Sequence, residues 1–371
     1  MKSTLHVWMV VLLAVAVTGP ALAFDFIVTR YDDPVPDGCL VADCSLREAV
    51  IAANAATDAD RILLSAGVYA ITLVGSDEDF AATGDLDLNN NLELVGVGAG
   101  ITILDAAGLG ETAIVASQIG GNFALRQLTV RNSDFHGLLL LVGTHTVEDC
   151  EFRGNAVNGS FTFSGIFVGL GSTVALRRVS VVGNSGKGLR VQQGSMTIEN
   201  STFSGNGGSE LSVNLAVAFS CTHCTIHDPA GPGPEASLFN STASFANSIV
   251  AGECSFTGST LTSFGGNVES TGHTCGFTQA SDQDDVTAVA LALGALADNG
   301  GPTRTHLPGA ASVVNGSAND ALCLADDQRG VVRETNCESG AVERTNAAVA
   351  TPIFSDAFLQ GDTEAWSATV N

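Results

Sequence analysis

An eleven-residue line, HTVEDCEFRGN at 145–155, recurs in altered copies along the middle of the chain. Phe123–Ser133 reads FALRQLTVRNS, Val174–Asn184 VALRRVSVVGN, Met196–Asn206 MTIENSTFSGN and Phe219–Asp228 FSCTHCTIHD, with a weaker copy, SFANSIVA, at Ser244–Ala251. Aligned on the third residue, the copies stand at Leu125, Val147, Leu176, Ile198, Cys221 and Phe245, in steps of 22, 29, 22, 23 and 24 residues. That period is too long for a meander of tight hairpins. No stretch of helical pattern lies between the copies, so βαβ units do not fit either. The period suits one turn of a solenoid, three short strands and three turns, with each coil about 4.8 Å above the last. Residues two apart on a strand share a face, so Leu128/Val130, Cys150/Phe152 and Val179/Val181 are expected to point inward together. Each large apolar side chain contributes about 1.5–3 kcal/mol when fully buried. The expected fold is all-β, a parallel β-helix with coils of about 22 residues.

A stack of parallel coils has open ends that would pair with other chains. Near the start, Cys44–Asn54 reads CSLREAVIAAN. Ser45 and Glu48 form a capping box, and Leu46, Ala49, Val50 and Ala53 fall on one helical face. A short helix laid across the first coil is expected to cap the stack. The expected organisation is a leader at 1–23, a strand and capping helix at 24–60, the β-helix at 61–343, and a linker and tail at 344–371.

The leader follows from Lys2, the apolar run Val7–Val17, Pro20 and the small-x-small site Ala21-Leu22-Ala23. It implies an extracellular or cell-surface protein, with outer-membrane association open and no membrane-spanning helix once the leader is removed. The chain carries 15 basic and 39 acidic side chains, a formal charge of −24. Phosphate binding needs clustered Lys and Arg, so nucleic acid is excluded as a partner, and anionic membrane surfaces are disfavoured. Beyond the leader the only lysine is Lys187.

Nine cysteines in an exported chain suggest disulfides. Close pairs are Cys39 with Cys44, Cys254 with Cys275, and Cys323 with Cys337. Of the rest, Cys150 is expected to be unpaired, while Cys221 and Cys224 sit in two core columns as stacked thiols or a disulfide. A zinc or redox role for that CxxC is the alternative, with His223 and His227 nearby.

Other candidates are sparser. The acidic loop Asp77, Glu78 and Asp79, with Asp85 and Asp87, could supply hard oxygens to Ca²⁺. Asp282, Asp284 and Asp285 form a second acidic cluster. No other cofactor is expected. The column Arg126, Glu148, Arg177, Glu199 alternates in sign, which favours pairing between coils over a ligand groove. The column Gln127, Asp149, Arg178, Asn200, His223, Asn247 runs beside it. Gly-Asn at 154–155, 183–184 and 205–206 predicts a structural asparagine ladder, with Asn155 turning the chain. No compact carboxylate pair and no Ser/His/Asp constellation stands out. Trp366, Tyr31 and Tyr69 are the only Trp and Tyr past the leader, few for a sugar groove. A site, if present, is expected in the irregular insertions at 77–87, 156–172 or 229–236 rather than in the repeat.

Three stretches resemble known families. CSLREAV with Ala52-Ala53-Asn54, followed by Gly84-Asp85-Leu86-Asp87-Leu88, resembles the CSLREA domain of secreted bacterial proteins. Asp298-Asn299-Gly300-Gly301-Pro302-Thr303, then Asp327-Gln328-Arg329-Gly330, Arg333, Cys337 and Gly340-Ala341-x-Glu343, resemble the choice-of-anchor Q region, departing from it at Ser339 and at Val313-Val314-Asn315. Ile353–Ser367 is similar to a terminal element of exported proteobacterial proteins. FRGN at 152–155 and FSGN at 203–206 match the FxxN of polymorphic outer-membrane repeats without their companion motif. Together these resemblances imply a right-handed parallel β-helix of the pectin-lyase-like type on an exported bacterial protein. They supply no catalytic residue. The expected role is non-catalytic adhesion or interaction, with an extracellular polysaccharide or a surface protein as partner. The alternative is a polysaccharide lyase or glycoside hydrolase of that fold.

Overall fold

A computed structural model describes residues 24–344 apart from 57–58, 77, 118–120, 170, 229–230 and 232. The expected leader, the linker Thr345–Pro352 and the tail element Ile353–Ser367 lie outside the described residues. The chain winds as a right-handed parallel β-helix of three strands per coil. In the middle coils the first ladder runs through Phe123–Arg126, Thr144–Glu148 and Thr173–Arg177, the second through Thr129–Arg131, Glu151–Arg153 and Ser180–Val182. The third runs through Leu138–Leu141, Ser164–Gly169 and Lys187–Gln192. Strands Ser195–Ser204 and Ala218–His227 pass through the corner between the first two ladders and join them into one 18-stranded sheet. The third ladder has eight strands.

The register is the one that the repeat predicts. Val147 pairs with Leu125 and Leu176, and Phe152 with Val130 and Val181. Both columns are fully buried. The corner between the first two ladders is a single left-handed residue, and it is never glycine in the regular coils. Gln127, Asp149, Arg178, Asn200, His223 and Asn247 hold φ between 46° and 57°. Each such residue costs about 1–2 kcal/mol, offset at several of these positions by side-chain bonds described below.

The asparagine ladder stands at the next corner, with one change from expectation. The glycines make the turn, with φ of 62°, 61° and 67° at Gly154, Gly183 and Gly205. The asparagines bond between coils. The Asn184 Oδ1 accepts from the Asn155 backbone N–H at 2.8 Å and from its Nδ2 at 3.1 Å. Asn206 does the same for Asn184 at 3.0 and 2.8 Å. Glu210 ends the row by accepting from the Asn206 backbone at 2.9 Å.

The cap is helix Leu46–Ala55. Ser45 and Glu48 close the capping box, and Leu46, Ala49, Val50 and Ala53 are buried on the first coil. Arg47, which is not part of that apolar face, is buried as well. Its guanidinium forks onto Asp33 at 2.7 and 3.0 Å and donates to the carbonyls of Gly84, Ala81 and Asp85 at 2.7, 3.0 and 3.3 Å. Asn54 reaches the same loop through the Asp87 carbonyl and the Asn89 N–H. The cap therefore grips the stretch GDLDL at 84–88 through side chains 33 to 38 residues away in sequence.

Beyond the last coil, Leu293–Ala297 and Thr305–Pro308 form an antiparallel hairpin, whose turn is the expected 298–304 cluster. Residues 298–344 then run back over the outside of the second ladder as a strap.

Candidate functional site

The strap settles what the corner column does. Asp326 takes Arg177 at 2.9 Å and Arg178 at 3.4 Å, and its carbonyl accepts from Asn200 at 2.8 Å. Arg333, itself paired with Glu343 at 3.2 Å, donates to the Asn200 Oδ1 at 3.0 Å. Asn247 Oδ1 accepts from the Asn319 N–H at 2.6 Å, and His223 bonds the Gly340 carbonyl at 3.2 Å. The column is a docking seat for the chain's own C-terminal part. Thr202 and Thr225 on the second ladder are covered in the same way, by Gln328 at 2.6 Å and the Ala341 N–H at 2.9 Å. Gly340 has φ of 92°, and a Cβ there would meet Ile249 Cδ1 at 2.5 Å, so the strap lies flat only because that residue is glycine.

The sign-alternating column pairs between coils. Arg126 bridges Glu93 at 2.6 Å and Glu148, and Glu148 also meets Arg178 at 2.8 Å.

At the strap's N-terminal edge two small grooves remain on the second ladder. One, of about 240 Å³, is lined by Glu151, Arg153, Asp298 and Arg304. Its neighbour, of about 300 Å³, is lined by Arg131, Arg153, Gly183 and Arg304. Arg131 and Arg153 are register partners in adjacent coils. Their charges are met inside the protein: Arg131 by Asp105 at 2.7 Å, Arg153 by Glu151 at 3.3 Å, and Arg304 by both Glu151 oxygens at 2.9 and 3.1 Å. A shallower depression of about 770 Å³ crosses the first ladder between Arg61 and Thr146, where Arg61 is held by Asp25 at 2.6 Å.

The proposed calcium loop is used by the backbone. Asp77 lies outside the described residues. Glu78 accepts from the Thr83 and Phe80 N–H groups at 2.9 and 3.1 Å, Asp87 accepts from the Ala81 N–H at 3.0 Å, and the Asp79 carbonyl accepts from Asn89. Burial pushes Asp85 up to about 7 and Asp87 to about 6, with each other and Glu111 adding repulsion at Asp85. In the second acidic cluster, Asp282 accepts from Ser263, Asn267 and Gln279, while Asp284 pairs with His273 at 2.7 Å.

Among the described residues, the one convergence of three side chains with metal-ligand atoms is His223 with Cys323 and Cys337. Those two sulfurs are bonded to each other, which removes the thiolates a metal needs. Disulfides also join Cys39 to Cys44, Cys254 to Cys275, and Cys221 to Cys224 across a corner. Cys150 is free, and burial pushes its thiol up to about 12.

One pairing had no sequence signal, because its partners are 102 residues apart. His306 bonds Ser204 Oγ through Nε2 at 2.8 Å and the Gly294 carbonyl through Nδ1 at 2.7 Å. A neutral ring satisfies both, and burial pushes its pKa down to about 4. The geometry resembles an activated hydroxyl, but Ser204 and His306 are only 5% and 4% exposed beneath the strap, so the pair fastens the strap. Of the expected insertions, 229–236 is described only in part, and 156–172 contains the third-ladder strand Ser164–Gly169, preceded by an irregular turn at 156–163 on a different face from the strap.

Residues 164–268 match the family described as right handed beta helix region. Among solved structures, pectate lyase Pel9A is similar over 88% of this chain and 98% of its own, at 14% identity and a TM-score of 0.45. The A-modules of Azotobacter vinelandii mannuronan C-5 epimerases AlgE4 and AlgE6 are similar over 60% and 69% of this chain and 85% and 94% of their own, both at 15% identity, with TM-scores of 0.31 and 0.24. No curated protein matches the chain by sequence. No helix among the described residues is long and apolar enough to cross a membrane.

Proposed function

We propose that the protein is an exported, cell-surface β-helix that binds an extracellular polysaccharide without cleaving it. The observation that carries this reading is the saturation of the second-ladder face. In its later coils the outward groups are covered by residues 298–344, and in the groove left at the edge Glu151 is bonded to Arg153 and Arg304 while Asp298 accepts from the Gly300 N–H. General acid–base work needs a proton-exchanging group within reach of the substrate. The acids with raised pKa are elsewhere: Asp85 and Asp87 in the cap loop, Glu210 at the end of the asparagine row, Glu235 beside it, and Glu338 inside the strap. Asp87 and Glu210 accept from the backbone N–H groups of Ala81 and Asn206. Incubating the purified full chain with uronate and neutral polysaccharides, with and without Ca²⁺, tests the reading. Binding with no new reducing ends is expected. Reproducible chain cleavage, or no binding to any polymer of the panel, overturns it.

A further inference from the structure

The 29-residue step in the repeat places an extra turn, 156–163, outside the third ladder. It carries Phe161 and leads into Phe163, which lies beside Phe135 and His136. Phe163 stacks on Phe135 at 4.5 Å between centroids with 15° between planes. The His136 ring meets Phe163 edge-on at 5.2 Å and Phe167 at 5.0 Å. Its Nδ1 accepts from the Ser164 N–H at 3.1 Å, so the imidazole is neutral, and burial with Arg190 nearby pushes its pKa down to about 4. Phe161 is 58% exposed, and its ring and the stem of Lys187 both flank Gly208. The result is a cluster of aromatic rings on the third-ladder face, with Phe161 exposed at its edge.

Two cations stand on the same face. The Arg190 guanidinium lies over Phe167, 5.1 Å from its centroid, and Lys187 is one coil along from Ser164. Among the described lysines and arginines, only these two and Arg344 belong to no ion pair. Lys187 donates to Ser212 at 2.8 Å. Arg190 donates to the Thr162 carbonyl at 2.6 Å and to Gln192 at 3.2 Å, and its buried Nε has no partner. The rest of a chain of charge −24 surrounds its cations with carboxylates. Here, two like charges stand together with none, and burial and mutual repulsion lower the Lys187 pKa.

A pair of cations without a carboxylate partner, beside the exposed ring of Phe161 and the half-buried ring of Phe163, suits a sugar with an apolar ring face and a carboxylate at its edge. We propose that Phe161, Phe163, Lys187 and Arg190 form a binding site for uronic-acid residues of a polysaccharide chain. The pyranose face lies on the phenylalanines, and the carboxylate bonds to the ammonium and to the guanidinium, which its contact with Phe167 holds in place. The assignment rests on the non-catalytic binding role proposed above and names its ligand.

The test is calorimetric titration of the full chain with oligogalacturonate and oligomannuronate, against neutral and sulfated oligosaccharides of equal length. Wild type is expected to bind the uronates, more weakly at high salt. The Lys187→Gln/Arg190→Gln double variant is expected to bind at least tenfold more weakly. Phe161→Ser, which removes an exposed ring and leaves the core intact, is expected to bind several-fold more weakly. The Arg61→Gln/Arg126→Gln double variant, an equal loss of positive charge elsewhere, is expected to bind as wild type. Uronate binding untouched by the double variant and by Phe161→Ser overturns the site while leaving the binding role standing. Equal binding of neutral or sulfated chains overturns the uronate assignment. Cleavage of the oligosaccharides overturns the non-catalytic reading and not the site.

Discussion

Asn184 shows how one residue can carry a coil. Its Nδ2 donates to Asn206 Oδ1 and to the Phe152 carbonyl, and its Oδ1 accepts twice from Asn155. All of these groups are buried. Asn184→Ala leaves several of them unmet, and an unmet buried group costs about 1–3 kcal/mol. A fall in stability of roughly 3 kcal/mol is expected, read as a lower thermal midpoint, while the flanking Gly183→Ala acts through its left-handed backbone instead. The ladder was legible in the repeat because asparagine recurred at a fixed place. Which residue turned the chain was not legible, since Gly and Asn are adjacent and both tolerate left-handed φ.

At the scale of elements, the cap explains why CSLREA-like and GDLDL-like stretches occur in one chain. Ser45 and Glu48 start the helix, Cys44 ties it to Cys39, and Arg47 crosses to the carbonyls of the second stretch. The helix was legible from its capping box and apolar face. The buried arginine was not, because helical periodicity places it among outward residues, and its partners at 33 and 81–85 are distant in sequence. Breaking a buried pair by removing one partner costs about 3–5 kcal/mol. Arg47→Met is expected to destabilise by that order and to leave the Asp33 charge without its cation, held only by the Thr72 and Leu73 N–H groups. Adding Asp33→Asn to it is expected to recover part of the loss, as measured by thermal unfolding of the two variants.

The whole molecule should be less stable in mild alkali. Burial raises Glu210 to about 8, Glu235 and Asp85 to about 7, and Asp87 to about 6. Folded, these acids keep protons that the unfolded chain releases near pH 4–4.5. Their contribution is therefore complete below that range and is lost as pH rises through about 6–8. His136, His223 and His306 work in the opposite sense, because burial lowers them to about 4, 3 and 4, so their contribution is lost as pH falls below about 6.5. Above about pH 7 the buried histidines are largely neutral in both states, while Glu210, Glu235 and Asp85 still release protons and His273, raised by Asp284, acts in the same sense, so the thermal midpoint is expected to fall from pH 7 and level off beyond about 8. Glu210→Gln, which removes the most strongly raised acid, is expected to flatten the slope. The β-helix itself was legible at this scale, since a constant period forces one architecture. The strap was not, because its partners share no period with it and contact coils more than a hundred residues earlier.

That separation has a consequence for the order in which the molecule is made. A coil meets the previous one about 22 residues back, so stacking can keep pace with the emerging chain. Residues 298–344 must instead find Glu151, Arg178 and Ser204 across 102 to 153 residues. Until then Thr202 and Thr225 bond to water, and the corner residues bear their left-handed strain without their partners. Closure over so long a loop is the slow event, so the time at which the finished molecule exists is set by its final residues, long after most of its coils have formed.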